Sequence, residues 1–121
     1  AAAYAVRQIL KERAILATIS KRGKRLMDGL KQILAETGRP FCINGYPAMF
    51  SFAIGVEKVT NQRDWNNSDM GFYLKLIEAA IERGVMPDHD PREPWFLCYA
   101  HGEVDIDETL NVMLDAVQVT K

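Results

Sequence analysis

Residues 81–107 read IERGVMPDHDPREPWFLCYAHGEVDID, and the succession of chain types inside them sets the fold class. Ile81–Gly84 ends a helix, since glycine can take the left-handed cap. Val85-Met86 reads as a short strand, ended by Pro87. Trp95–Ala100, WFLCYA, has the length and aromatic content of a buried strand. His101-Gly102 leads into a helix from about Glu103 to Val119. Glu103, Asp105 and Asp107 fall in its first turns, where carboxylates favour the helix N-terminus. The loop between the two strand-like runs holds the densest polar set in the chain: Asp88, His89, Asp90, Arg92 and Glu93. A loop at strand ends is where α/β proteins tend to keep their sites.

Working outward, the elements alternate. Ser68 or Asp69 is the N-cap candidate of a helix over 68–83, with Phe72, Leu76, Ile77 and Ala80 as its inward stripe. Residues 56–67 are a polar loop whose one large apolar residue is Trp65, a lid over the core or part of an interface. FCINGYPAMFSFAIG, residues 41–55, reads as a strand at 41–43, a turn at Asn44-Gly45 and a strand at 48–54. In that second strand Phe50, Phe52 and Ile54 share one face, while Met49, Ser51, Ala53 and Gly55 share the other. Residues 1–37 carry apolar residues at helical spacing. Gly38 and Pro40 stop that helix. Its length is unusual for one globular helix, so a break is expected near 11–14. Lys21, Arg22, Lys24, Arg25 and Lys31 read as a solvated face. The order α, β, β, α, β, β, α predicts an α/β (α+β) fold: a small, mostly antiparallel sheet covered by helices on one face.

The bulk numbers exclude several functions. The 121 residues suit a single core, and 48% hydrophobic with 26% charged is ordinary for a globular domain. With 15 basic against 16 acidic residues the net charge is −1, so the basic excess of a nucleic-acid binder is missing. No apolar run approaches the ~20 residues of a membrane span. Cys42 and Cys98 are too few for a disulfide scaffold. Both lie in strand-like runs and read as buried thiols in a reducing cytoplasm. No set of ligands has the spacing of a zinc site. The start, AAAYAVRQIL, reads like the middle of a helix, which points to a fragment of a longer polypeptide.

Candidate chemistry is sparse. Asp88, His89 and Asp90 are adjacent, so their side chains cannot all converge on one point; they read as an exposed loop. His101, at a strand end, reads as a hydrogen-bonded structural histidine. Arg92 and Glu93 are bracketed by Pro91 and Pro94, which restrict the backbone. That bracket can present a guanidinium to an anionic ligand at little entropic cost; a plain surface ion pair is the competing reading. No glycine-rich phosphate loop is present. None of the seven lysines has the desolvated setting of a Schiff-base amine.

Several short motifs in order carry a family likeness. AAAYAVRQIL is an alanine-rich helix. Gly23, Leu26, Gly29 and Leu30 form a G..L..GL pattern. Gly45, Met49 and Phe50 follow, then Glu82–Val85 (ERGV), and finally Phe96, Ala100, His101, Glu103, Asp105, Ile106 and Asp107. This succession resembles the C-terminal part of class III pyridoxal-phosphate (PLP) aminotransferases, near the glutamate-1-semialdehyde aminomutases.

The resemblance implies the small C-terminal domain of a homodimeric, cytoplasmic PLP enzyme. The missing large domain would hold the cofactor lysine, the aspartate at the pyridine nitrogen and most phosphate contacts. Residues 1–12 would belong to the edge of that domain and 13–121 to the small domain. The small domain would cover the active site and help select a small amino-acid-like substrate, with no catalytic or cofactor-binding residue of its own. Glu93 falls on a glutamate position near the substrate entrance of the aminomutases. Arg92 departs from their usual apolar residue and resembles the carboxylate-binding arginines of β- and ω-amino-acid aminotransferases. A free-standing, non-enzymatic α/β interaction module is the alternative.

Overall fold

The computed structural model describes residues 1–12 and 14–121. The long N-terminal helical pattern is two helices, α1 (Ala2–Glu12) and α2 (Ile15–Ala35). Ala14 precedes α2 in the left-handed region, at φ 49°. The chain then forms β1 (Phe41–Tyr46), β2 (Met49–Ile54), a five-residue α3 (Gln62–Asn66), α4 (Met70–Ile81), β3 (Trp95–Phe96) and α5 (Glu103–Thr120). The sheet is antiparallel throughout, in the order β1-β2-β3. The small antiparallel sheet under helices is the architecture expected from the sequence.

The alternation in β2 decides which face is covered. Phe50, Phe52 and Ile54 are buried in one cluster with Leu26, Leu30 and Leu34 of α2, Leu76 and Ile77 of α4, and Met113 and Val117 of α5. On the opposite face Tyr46, Met49 and Phe96 lie side by side in register and are all exposed. Asn44 Nδ2, further along that face, donates to Val59 O at 3.2 Å.

Two glycines of the G..L..GL pattern act through close approach. A Cβ on Gly23 would fall on the Pro47 carbonyl, and one on Gly29 would meet Leu110 Cδ2 at 2.5 Å. The pattern therefore lets α2 touch the β1–β2 turn on one side and α5 on the other. The basic run on α2 is only partly a solvated face. Arg22 NH1 donates to Tyr99 O (3.0 Å) and His101 O (3.1 Å), and Arg25 pairs with Glu103 and Asp107. The two arginines thus tie residues 99–107 to α2.

Five local expectations are corrected. β1 continues through Asn44-Gly45, and the turn is Pro47-Ala48. Gly45 stays in the strand at φ 119°, where a Cβ would meet Met49 O at 2.5 Å. Val85-Met86 is not a strand: Val85 N donates back to Ala80 O (3.1 Å), closing α4 beyond Gly84 at φ 94°. The expected strand 95–100 is only Trp95–Phe96. Leu97 N bonds Ala48 O in the turn (3.0 Å), and beyond it β2 offers no residue to pair with. Cys98 is therefore exposed rather than buried, while Cys42 is half-buried. Finally, the 56–67 loop contains α3, and Trp65 lies half-buried on it.

Candidate functional site

The proline-bracketed loop is built from its own short side chains. Asp88 Oδ1 accepts from Asp90 N at 2.8 Å, and Asp90 Oδ1 accepts from Arg92 N at 2.9 Å. Two successive Asx turns of this kind bend a backbone without help from a sheet. Pro91 is fully buried and anchors the bend. From below, the Tyr73 hydroxyl donates to Asp88 O at 3.0 Å. Trp95, at the far end, packs on Phe50 and Phe52 with ring centroids 5.9 and 5.5 Å away.

Tyr73 is 2% exposed, and its hydroxyl is pushed up to about 12, chiefly by burial. The charges of Asp88 and Asp90 push the same way, and the nearby Trp95 indole opposes them. Trp95 Nε1 is itself buried, with no hydrogen bond of good geometry among the described residues. An ordinary tyrosine titrates near 10. The raised folded value means that the neutral phenol's contribution is complete below pH 10 and is lost as pH rises through 10 to 12. That loss is about 2–3 kcal/mol. Alkaline unfolding followed by circular dichroism checks it: Tyr73→Phe should start about 1 kcal/mol less stable at neutral pH and lack the fall between pH 10 and 12.

Arg92 and Glu93, adjacent in sequence, border different hollows. Arg92 is held edge-on by Asp90: Nε donates to both carboxylate oxygens (2.8 and 3.0 Å), and NH2 donates to Oδ2. These bonds hold the Asp90 carboxyl below the usual range and raise the Arg92 guanidinium further. Arg92 borders a surface hollow of about 310 Å³ with Gln62, Trp65, Asn66 and Met70. Glu93 borders a cavity of about 490 Å³ between the loop and the first turns of α5. Asp88, His101, Asp105 and Glu108 share its rim, over a floor that includes Leu26, Trp95 and Ile106. His101 is partnered as expected, its Nδ1 accepting from Cys98 N at 3.0 Å. His89 is exposed. Among the described residues no three His, Cys, Asp or Glu side chains form a group that could hold a metal ion.

Sequence reasoning missed Tyr73 and the α3 residues around Arg92. A tyrosine flanking the inward stripe of Phe72, Leu76, Ile77 and Ala80 was the available signal for the first, because a buried phenol needs a partner for its hydroxyl.

No family model matches the sequence. Over 104 residues, 86% of this chain and 24% of the relative, it is 32% identical to glutamate-1-semialdehyde 2,1-aminomutase of Persephonella marina. Over 118 residues, 98% of this chain and 27% of the relative, it is 30% identical to that of Desulfitobacterium hafniense. The chain is a low-identity homologue of the glutamate-1-semialdehyde 2,1-aminomutases. It spans about a quarter of the length of these curated relatives. The fold is shared with part of two solved structures. One is FumI of Sphingopyxis sp. MTA144, described as its PLP internal aldimine form (TM-score 0.74, 22% identity, 93% of this chain, 24% of that one). The other is an omega-transaminase from Sphaerobacter thermophilus (TM-score 0.65, 19% identity, 84% of this chain, 23% of that one).

The residues of this chain do not themselves fit PLP. All seven lysines are exposed, whereas a Schiff-base lysine needs a desolvated or charge-lowered setting.

Proposed function

We propose that this chain is the C-terminal small domain of a cytoplasmic, homodimeric PLP-dependent aminotransferase or aminomutase of class III. In this reading a large domain outside the chain holds the cofactor. This domain covers the active site and helps select an amino-acid-like substrate. The observation that carries the reading is the homology: 98% of the chain aligns to about a quarter of an aminomutase. Two sets of exposed apolar side chains support it, since exposed apolar surface can mark a contact site. One is α1, with Tyr4, Val6 and Ile9 exposed; the other is the Tyr46–Met49–Phe96 row. Residues 1–12 then belong to the edge of the large domain, and the left-handed Ala14 marks the passage into 13–121.

Within that enzyme Arg92 binds a substrate carboxylate in a charge-assisted contact, and Glu93 lies near the substrate entrance. In the full-length protein, Arg92→Ala should lower kcat/KM for carboxylate-bearing amino donors by about 2–4 kcal/mol of transition-state binding. Amines without a carboxylate should be much less affected; equal losses for both would remove Arg92 from the site.

The domain assignment is tested directly by incubating this chain with PLP, reducing with borohydride and mapping adducts by mass. The expected result is scattered, substoichiometric labelling. A single stoichiometric lysine adduct would place a cofactor site in the chain and overturn the reading.

A further inference from the structure

Among the described residues β3 is the last strand of the sheet, with no strand on its outer edge. Phe96 stands opposite Met49, and the next residue, Leu97, donates its N–H to Ala48 O at 3.0 Å. In an antiparallel ladder alternate residues face the partner strand, so the Phe96 N–H and C=O point away from β2. Neither has a hydrogen-bond partner among the described residues. Such an edge is a template for pairing with another segment of chain.

The cavity of about 490 Å³ adjoins this edge, since Pro94–Leu97 line it together with Met86 of the loop. Its lip is apolar: Met86 is 86% and Phe96 66% exposed. Its charge is of one sign. Asp88, Glu93, Asp105 and Glu108 border it, and no lysine or arginine does. Arg22 and Arg25 pair with Glu103 and Asp107, and Arg92 with Asp90; none of these borders the cavity. His101 adds no charge, because its Nδ1 accepts from Cys98 N and the ring is therefore neutral. Asp105 is occupied as the cap of α5, accepting from Gly102 N at 2.6 Å. Glu93 and Glu108 have no ion-pair partner among the described residues. Cationic side chains complement such a rim.

The two sides of the edge differ in chemistry. On the covered side of the sheet α5 brings Asp105 and Glu108; on the open side stands the exposed Phe96. A strand added there would send alternate side chains to opposite faces. We propose that this edge docks an extended segment of the parent polypeptide outside this chain, one that alternates lysine or arginine with apolar residues. Its backbone pairs with the Phe96 N–H and C=O. Its basic side chains enter among the rim carboxylates, and its apolar ones lie on Phe96. Phe96 also belongs to the Tyr46–Met49–Phe96 row, so the docking surface is continuous with the exposed face proposed to meet the rest of the enzyme. This docking rests on the reading of the chain as one domain of a larger PLP enzyme, and names the chemistry of one contact between its parts.

Hydrogen exchange at the Phe96 amide tests it. The amide should exchange freely in this chain and at least about ten-fold more slowly in the full-length protein. Added to the chain, an acetylated, amidated Val-Arg-Leu-Lys-Val peptide should slow it, and should bind at least about ten-fold more tightly than Val-Glu-Leu-Glu-Val. Glu108→Lys, an exposed change on α5, should weaken the basic peptide at least about ten-fold and speed Phe96 exchange in the full-length protein. Equal binding of the two peptides, protection indifferent to Glu108→Lys, or butylguanidinium binding as tightly as the basic peptide (a small-cation site) would overturn the docking. A freely exchanging Phe96 amide in a full-length protein that transaminates would sink the docking alone. A protected amide in a full-length protein without transaminase activity would sink only the enzyme reading.

Discussion

Gly23→Ala should destabilise the chain by about 2–3 kcal/mol, against the direction of helix propensity. In an exposed helix interior the same change gains roughly 1 kcal/mol, because alanine restricts the unfolded chain and suits the helix. Here the added methyl falls on the backbone carbonyl of Pro47. Backbone cannot rotate away as a side-chain tip can. Either α2 moves off the sheet, opening gaps beside Leu26 and Leu30, or the Pro47-Ala48 turn shifts and carries with it the Ala48 O that accepts from Leu97 N. Gly29→Ala is the internal control. Its methyl meets only the end of the Leu110 side chain, which is half-buried and can change rotamer, so the net change should stay within about 1 kcal/mol. Urea unfolding of both variants measures the contrast. Equal effects would mean that the Gly23–Pro47 approach does not limit the packing of α2.

What the sequence made legible were the features fixed by periodicity. Leu26, Leu30, Ile33 and Leu34 recur at helical spacing and are buried, and the two-residue alternation of Phe50, Phe52 and Ile54 oriented the sheet. What it concealed depends on whether a partner exists. WFLCYA has strand composition, but strand length is set by the neighbour, and β2 ends at the Pro47-Ala48 turn. Asn44-Gly45 has turn chemistry, yet the tighter constraint was the contact of Pro47 with Gly23, two positions far apart in sequence. Arg22 and Arg25 looked solvated until the first turn of α5 was laid beside them. The site divided the same way. Arg92 and Glu93 stood out by their proline bracket, but the clasp by Asp90 needs the Asx turns to be in place, and the approach of Trp65 needs the whole fold.

Phe52→Ala is expected to have the largest effect on stability, about 3–5 kcal/mol, and its consequences should reach the loop. Phe52 is 1% exposed. Its ring lies 5.2 Å from that of Tyr73 and 5.5 Å from that of Trp95, centroid to centroid. Aromatic pairs of this kind contribute about 0.5–1.5 kcal/mol each beyond the area they bury. Those two neighbours hold the site loop: Tyr73 through its bond to Asp88 O, Trp95 through the chain itself. Truncation therefore leaves a cavity where both anchors lean. Hydrogen exchange should show the Asp90, Arg92 and Glu93 amides opening faster than the loss of global stability requires. Ile77→Ala provides the comparison, because Ile77 is fully buried in the same cluster and its truncation costs about 2–5 kcal/mol, but an aliphatic side chain forms no aromatic pair with either anchor. If both variants speed loop exchange in proportion to their global destabilisation, the loop is held by the core as a whole. A selective effect of Phe52→Ala would assign its hold to the Phe52–Tyr73–Trp95 cluster.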